Sequence, residues 1–233
     1  MLPVSNRTLL SFAFGRSGES AGIRCYDVGR ATRRHATMAK LIYFTPTSLD
    51  GYIADESGNY DWSTPDEATF AFMTELMRPI GTYLYGRKTY ETMAVWETPE
   101  VIPGMSGTPG LLEFARIWQA ADKVVYSRSR ETLGGATPKT RLLREFDAQA
   151  VREWKARSPL DLTVGGPTLA AEAIRNGLVD EYHLMIVPTL LGRGRRVLLL
   201  PEGSERQIRL ELLDERRFAN GWVYLRYRAQ TLD

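Results

Sequence analysis

The chain of 233 residues holds one cysteine, Cys25, and two histidines, His35 and His183. A single thiol excludes an intrachain disulfide and any Cys-x-x-Cys metal knuckle. Two histidines leave little from which to build a histidine metal site or a Ser-His-Asp triad. No run of eighteen apolar residues occurs, so nothing reads as a membrane span. The formal net charge is only +2, too slight to argue for a nucleic-acid partner. What remains is an ordinary globular composition, 43% hydrophobic and 25% charged, long enough for one large domain or two small ones. Scarce cysteine suits a reducing cytoplasm.

Residues 1–37 differ from the rest. They carry six arginines, no lysine and two acids, Glu19 and Asp27, so this segment is at +4 and the remaining chain at −2. No helical or strand period runs through it. The expectation is a disordered upstream extension; an organelle presequence, arginine-containing and poor in acids, is the alternative. Cys25 and His35 fall here and receive no role.

From Met38 onward the pattern is regular. Leu41–Thr45 reads as a central strand, and Asp50-Gly51 as a bend. Ser63 or Thr64 is expected to cap a helix that starts at Pro65, with Phe70, Met73 and Met77 as its core stripe. Thr82–Tyr85 is a buried strand. A helix follows to about Met93, a loop spans 94–108, and a helix covers Leu111–Ala120. Strands at Lys123–Ser127, Leu142-Leu143, Asp161–Val164 and Tyr182–Val187 alternate with helices from Asp147 and from Pro167. The second of these ends at Asn176-Gly177. A hairpin around Asn220-Gly221 closes the chain. This order predicts one α/β domain over 38–233, with a mostly parallel sheet and an antiparallel C-terminal hairpin.

Two stretches look chemical. In Tyr83-Leu84-Tyr85-Gly86-Arg87-Lys88-Thr89 a strand ends in glycine and a cationic helix start follows. In Leu162-Thr163-Val164-Gly165-Gly166-Pro167-Thr168 a strand meets a glycine pair and then an alanine-rich helix. Glycines let backbone approach a ligand closely, and helix N-termini attract anions. Each alone is more often a plain turn. Two in one small α/β chain point to a dinucleotide phosphate site, without the G-x-G-x-x-G fingerprint of a Rossmann turn. A third stretch, Ser127-Arg128-Ser129-Arg130, puts arginines and hydroxyls at a strand end, where they could grip a phosphate monoester or simply be solvated.

With SLDGYIAD (48–55), LYGRKTYE (84–91), VVYSRS (124–129), VGGPTLAAEAI (164–174) and LVDEYHLMIVPTLLGRG (178–194) in this order, the chain resembles the dihydrofolate reductase-like superfamily. It is most similar to the RibD C-terminal reductase branch of riboflavin biosynthesis. That resemblance implies a three-layer fold, NADPH as cofactor and a cytoplasmic homodimer. It implies that Gly86, Arg87, Lys88 and Thr89 hold cofactor phosphates, and that Ser127 and Arg128 meet the adenosine 2′-phosphate. Gly165, Gly166, Pro167, Thr168 and Leu169 would form the pyrophosphate turn, and Ile53 and Ala54 would border the nicotinamide. Asp50 and Asp66 are the candidate catalytic carboxylates, with Glu67 beside the latter. Pro167 and Arg193 stand where many relatives carry glycine. The implied reaction is hydride transfer to a C=N or C=O group of a small heterocycle such as 5-amino-6-(5-phosphoribosylamino)uracil. A dihydrofolate or pteridine reductase and a non-catalytic pyridine-nucleotide-binding protein are the alternatives. A basic loop, Arg193, Arg195 and Arg196, is available to an anionic substrate group.

Overall fold

The computed structural model describes residues 38–99, 109–129, 131–133, 137–199 and 207–230. The expectations for residues 1–37, for Arg130 and for most of the 94–108 loop lie outside these residues.

A first strand, β1 (Leu41–Ser48), turns at Asp50-Gly51 into a short β2 (Tyr52–Ala54). Helix α1 (Glu67–Met77) leads to β3 (Ile80–Gly86), α2 (Arg87–Met93), α3 (Pro109–Ala120) and β4 (Asp122–Tyr126). Then come β5 (Thr140–Leu143), α4 (Ala148–Arg157), β6 (Asp161–Gly165), α5 (Pro167–Arg175) and β7 (Glu181–Val187). A two-residue β8 (Arg195–Arg196) pairs with β2, and β9 (Leu210–Arg217) and β10 (Val223–Ala229) form the hairpin. The main sheet has the order β5-β4-β3-β6-β1-β7-β10-β9. Pairs from β5 through β7 are parallel, and β10 runs antiparallel to both of its neighbours. The expected α/β architecture, parallel with an antiparallel edge, is therefore the one observed.

Alternation along the strands divides the core into two layers. Leu41, Tyr43, Leu84, Val124, Leu162 and Val164 face α4 and α5, where Val151, Leu169, Ala170 and Ala173 pack on them. Ile42, Tyr83, Tyr85 and Val125 face the other way, against Met77 of α1, Tyr90 of α2 and Phe114 and Trp118 of α3. Each such large apolar side chain contributes roughly 1.5–3 kcal/mol when fully buried. Both faces of the parallel strands are thus covered, as their near-continuous apolar sequences require.

Some local details differ from expectation. Helix α1 is capped neither by Ser63 nor by Thr64: Asp61–Ser63 forms a 3-10 turn, and Asp66 is the N-cap, accepting from the Thr69 N–H at 2.8 Å. An aspartate after proline reaches the N3 amide where Ser63 lies too far back. The hairpin connection is wider than two residues: Phe218 N–H bonds Trp222 O, and Asn220 bonds the Trp222 N–H and the Thr69 hydroxyl, tying the turn to α1. The 94–108 stretch begins with a 3-10 turn, Ala94–Glu97, whose carbonyls accept from the Gln119 amide.

Candidate functional site

Strands β3 and β6 lie side by side, with Tyr85 opposite Gly165. Their following helices leave to opposite faces of the sheet, α2 toward the α1–α3 layer and α5 toward the α4 layer. Such a divergence opens a crevice at the carboxyl ends of neighbouring parallel strands, the place where open α/β sheets bind ligands. The two glycine-bearing turns form its walls.

They touch. A methyl group on Gly165 would stand 2.7 Å from the Tyr85 ring and 3.2 Å from Thr89 Cγ2. One on Gly166, whose φ is +91°, would stand 2.6 Å from the Thr89 hydroxyl. Only glycine fits both positions, and the backbone of the turn is left bare. Pro167 begins α5, where its missing N–H costs nothing. Helices α1 and α4 are capped by Asp66 and Asp147, whereas neither Gly86 nor Gly166 offers a side-chain cap to α2 or α5. The helix starts at the crevice keep their first-turn N–H groups for another acceptor, as a phosphate-bearing cofactor requires. Thr168 is exposed there, while Leu169 is buried and packs in the core.

The neighbouring strand ends add charge. Gly86, Tyr126 and Leu143 are in register across β3, β4 and β5; Arg87 opens α2 after the first, and Ser127 and Arg144 follow the other two. Arg87 donates to both oxygens of Glu91, at 3.0 and 2.9 Å. Ser127 is 7% exposed. Its N–H bonds Leu143 O, and the Arg144 guanidinium bonds Arg128 O at 3.1 Å. Lys88 and Arg128 are exposed.

On the other side of β6, β1 runs on past Val164 to Ser48, so its far half rises roughly 16 Å beyond the last paired residue. Asp50 stands at its tip. Its carboxylate accepts from the Ser48 hydroxyl at 2.6 Å, from Leu191 N–H at 3.1 Å and from Gly192 N–H at 2.6 Å. These bonds, the Ser48 hydroxyl foremost, hold the Asp50 pKa below the ordinary carboxylate value. They also fasten the 190–197 segment over β2. Val197 N–H bonds Gly51 O, Tyr43 OH bonds Val197 O at 2.6 Å, and Gly194, at φ +140°, lies so close on Ala54 O that no side chain fits. Ala54 is buried beneath this segment and Ile53 is half-buried beside the core. Arg196 lies over the Tyr52 ring at 5.2 Å, and Arg193 faces Glu56 at 3.6 Å. An open recess of about 720 Å³ adjoins these arginines.

Asp66 is exposed at the start of α1. The Thr69 hydroxyl and N–H lower its pKa, so like Asp50 it stays ionised near neutral pH. Residue-by-residue reading did not anticipate Ser48, Tyr43 or Arg144. Ser48 was legible as the hydroxyl two positions before an aspartate, a common turn arrangement. Arg144 needed the strand register. A more enclosed recess of about 400 Å³ lies near Lys40, Lys155, Asp180 and Arg228, at the opposite end of the strands. There Lys40 pairs with Glu181, Lys155 with Asp180 and Arg228 with Glu211. Its cations are thus already matched, and the chemistry converges on the carboxyl ends of the strands instead. Among the described residues no cluster could hold a metal ion, and no helix is long and apolar enough to cross a membrane.

Comparison with known proteins agrees with this fold. The RibD C-terminal domain matches residues 39–224. The Bacillus subtilis protein YyaP is 27% identical over 189 residues, covering 81% of this chain and 94% of YyaP. A structure from Shewanella sp. PV-4, described as a riboflavin biosynthesis protein, superposes with a TM-score of 0.63 at 22% identity, over 83% of this chain and all of that one. The Thermotoga maritima diaminohydroxyphosphoribosylaminopyrimidine deaminase/5-amino-6-(5-phosphoribosylamino)uracil reductase superposes with a TM-score of 0.56 at 16% identity. That match covers 83% of this chain but only 57% of the Thermotoga chain.

Proposed function

The chain belongs to the RibD C-terminal domain family, and on that premise we propose that it is an NADPH-dependent reductase. It would act on a C=N or C=O group of a small polar heterocycle, of the kind that the name of the Thermotoga enzyme describes. The observation that carries the proposal is the meeting of Thr89 with Gly166 at a divergence of two crossover helices. It makes one bare backbone cradle from turns 77 residues apart, with unpartnered first-turn amides on both sides.

In this reading Gly86, Lys88, Thr89, Gly165, Gly166 and Thr168 surround the cofactor's pyrophosphate. Ser127 and the arginines near it take the adenosine end, and Ile53 and Ala54 flank the nicotinamide. When bound, the reduced nicotinamide supplies a hydride to the substrate carbon, and the heteroatom takes a proton from solvent. Asp50 and Asp66 act as ionised acceptors, not as proton reservoirs, because hydrogen bonds stabilise their charged forms. Asp50 orders the 190–197 segment over the cofactor's reactive end and can orient the water that delivers the proton. Positioning of this kind, with exclusion of bulk water, is the protein's share of hydride transfer. A homodimer in the cytoplasm is part of the same proposal.

The test is a panel of ribosylaminopyrimidines, pteridines and dihydrofolate, with NADPH absorbance as the readout. Turnover of an aminopyrimidine supports the proposal. Turnover of dihydrofolate alone moves the protein to folate chemistry. Tight NADPH binding without turnover of any of them makes it a binding protein.

A further inference from the structure

The segment 190–197 is fastened over β2 at both ends, and the fastenings differ in kind. At its start the half-buried Asp50 carboxylate accepts from the Leu191 and Gly192 N–H groups. At its end the grip comes from inside the protein. Val197 is 7% exposed and is the one buried residue in 188–199, all of which are described. Both of its main-chain polar groups are taken: its N–H donates to Gly51 O at 2.9 Å, and its carbonyl accepts from the Tyr43 hydroxyl at 2.6 Å. Tyr43 is fully buried in β1, between Val164 of β6 and Tyr182 of β7. Its ring packs in the α4–α5 layer, where a phenylalanine ring would fill the same volume. What the hydroxyl adds is the bond to Val197. Burial, with Tyr182 alongside, raises the phenol pKa, so the hydroxyl stays a neutral donor near neutral pH. A buried carbonyl stripped of its donor is costly, so this bond resists opening.

From Val197 the constraint passes to two places. Its N–H bond fixes the Gly51 turn, where β1 gives way to β2. The pairing of Arg195 and Arg196 with Ala54 and Tyr52 fixes β2 itself, and Gly194 lies too close on Ala54 O for any side chain. We propose that Tyr43 is a positioning residue for hydride transfer: through Val197 it sets the height of the Ile53–Ala54 backbone against the nicotinamide. Tyr43 touches neither cofactor nor substrate, and it acts within the reductase reading, on which this assignment rests. Tyr43 and Val197 both lie outside every stretch that carried the family resemblance.

Tyr43→Phe in the full chain tests it, since the ring stays and only the hydroxyl goes. Arg193, Arg195 and Arg196 are exposed in the segment itself, so trypsin reports its release from β2 without any ligand. Cleavage at these arginines is expected to run about two- to tenfold faster in Tyr43→Phe, the worth of one hydrogen bond, while thermal melting stays cooperative. With the substrate that the wild type reduces, kcat is expected to fall by about tenfold, and KM and the NADPH Kd to stay within about twofold. The isotope effect from NADPH carrying deuterium at the transferred position should rise, as hydride transfer becomes limiting. Tyr182→Phe, in the neighbouring strand and the same core layer, should change none of these. Unchanged cleavage at the three arginines in Tyr43→Phe overturns the assignment. So does faster cleavage with an unchanged kcat, which makes the bond structural only, and so does a loss carried by the NADPH Kd in place of kcat. A wild type that reduces no member of the substrate panel overturns the reductase reading, and this assignment with it.

Discussion

The Thr89 side chain closes directly over Gly166: a Cβ there would meet the hydroxyl at 2.6 Å. These residues belong to turns that follow different strands and helices, and their contact makes a single structure of the two. Gly166→Ala is expected to cost roughly 1–3 kcal/mol, because φ is +91° and alanine strains there. The clash adds to that cost. Thr89→Ala in the same chain should return only the clash component, since the backbone strain stays. Urea melts of the two single variants and the double variant measure this. Strict additivity would mean that the residues do not touch.

Gly165→Ala has no positive φ to contend with, but its methyl would meet the Tyr85 ring at 2.7 Å. Tyr85 is buried and held by the Trp118 indole N–H at 3.2 Å. A rigid ring cannot yield as a threonine rotamer can. Gly165→Ala should therefore distort the crevice and weaken NADPH binding, and Thr89→Ala should not rescue it.

The Asp50 carboxylate holds Leu191 and Gly192 by their N–H groups. Asparagine keeps one acceptor and points a donor at these donors. Asp50→Asn should expose the 190–194 segment to limited proteolysis while the sheet stays folded, and should reduce turnover more than NADPH affinity. Because hydrogen bonds depress the Asp50 pKa, the grip is complete above the ordinary carboxylate range. It is lost as pH falls through the lowered value. Cleavage at 190–194 in the wild type should accelerate only in acid.

A second pH response lies in the β7–β10 region. Burial alone would raise the Glu181 pKa, but hydrogen bonds from Arg226, Lys40 and His183 outweigh it and bring it to about 2. His183 bonds Glu181 through Nε2 and Tyr224 OH through Nδ1, both at 3.0 Å. Its burial lowers the imidazole pKa, with Glu181 opposing. The neutral ring is thus the folded form. The His183 contribution is present above about pH 6.5, the unfolded value, and is lost as pH falls through the lower folded value. Glu181 follows between about pH 4.3 and its folded value. Urea stability should decline in two steps, and His183→Gln should remove the first.

Lys123 is 0% exposed. Its ammonium bonds Trp118 O at 3.1 Å and Ala121 O at 3.2 Å at the end of α3, and pairs with Glu97 at 3.1 Å. Lys123→Met should cost about 3–5 kcal/mol by stranding Glu97. Adding Glu97→Gln should recover much of that, as shown by denaturant melts of the pair.

Much of this architecture was legible beforehand because it depends on local pattern. The apolar run within the expected strand Lys123–Ser127 marks β4, observed over Asp122–Tyr126, and Asn176-Gly177 marks a helix end, since each is set by neighbouring residues. Asp66 was misread as lying inside α1 because several adjacent polar residues compete for one cap, and only the folded geometry decides among them. That Gly86 and Gly165 end adjacent strands is a non-local fact, reachable through resemblance but not from spacing. Arg144 was invisible for the same reason: its place beside Ser127 is fixed by a β4–β5 register that sequence periodicity does not encode.

The most direct test of the account is thermal unfolding of the wild type with and without saturating NADPH. A ligand at one hundred times its Kd stabilises the native state by about 2.7 kcal/mol. For a domain of this size that should raise Tm by about 5–10 °C, with a smaller rise for NADH. A melting temperature that NADPH leaves unchanged would contradict the dinucleotide cradle between Thr89 and Gly166.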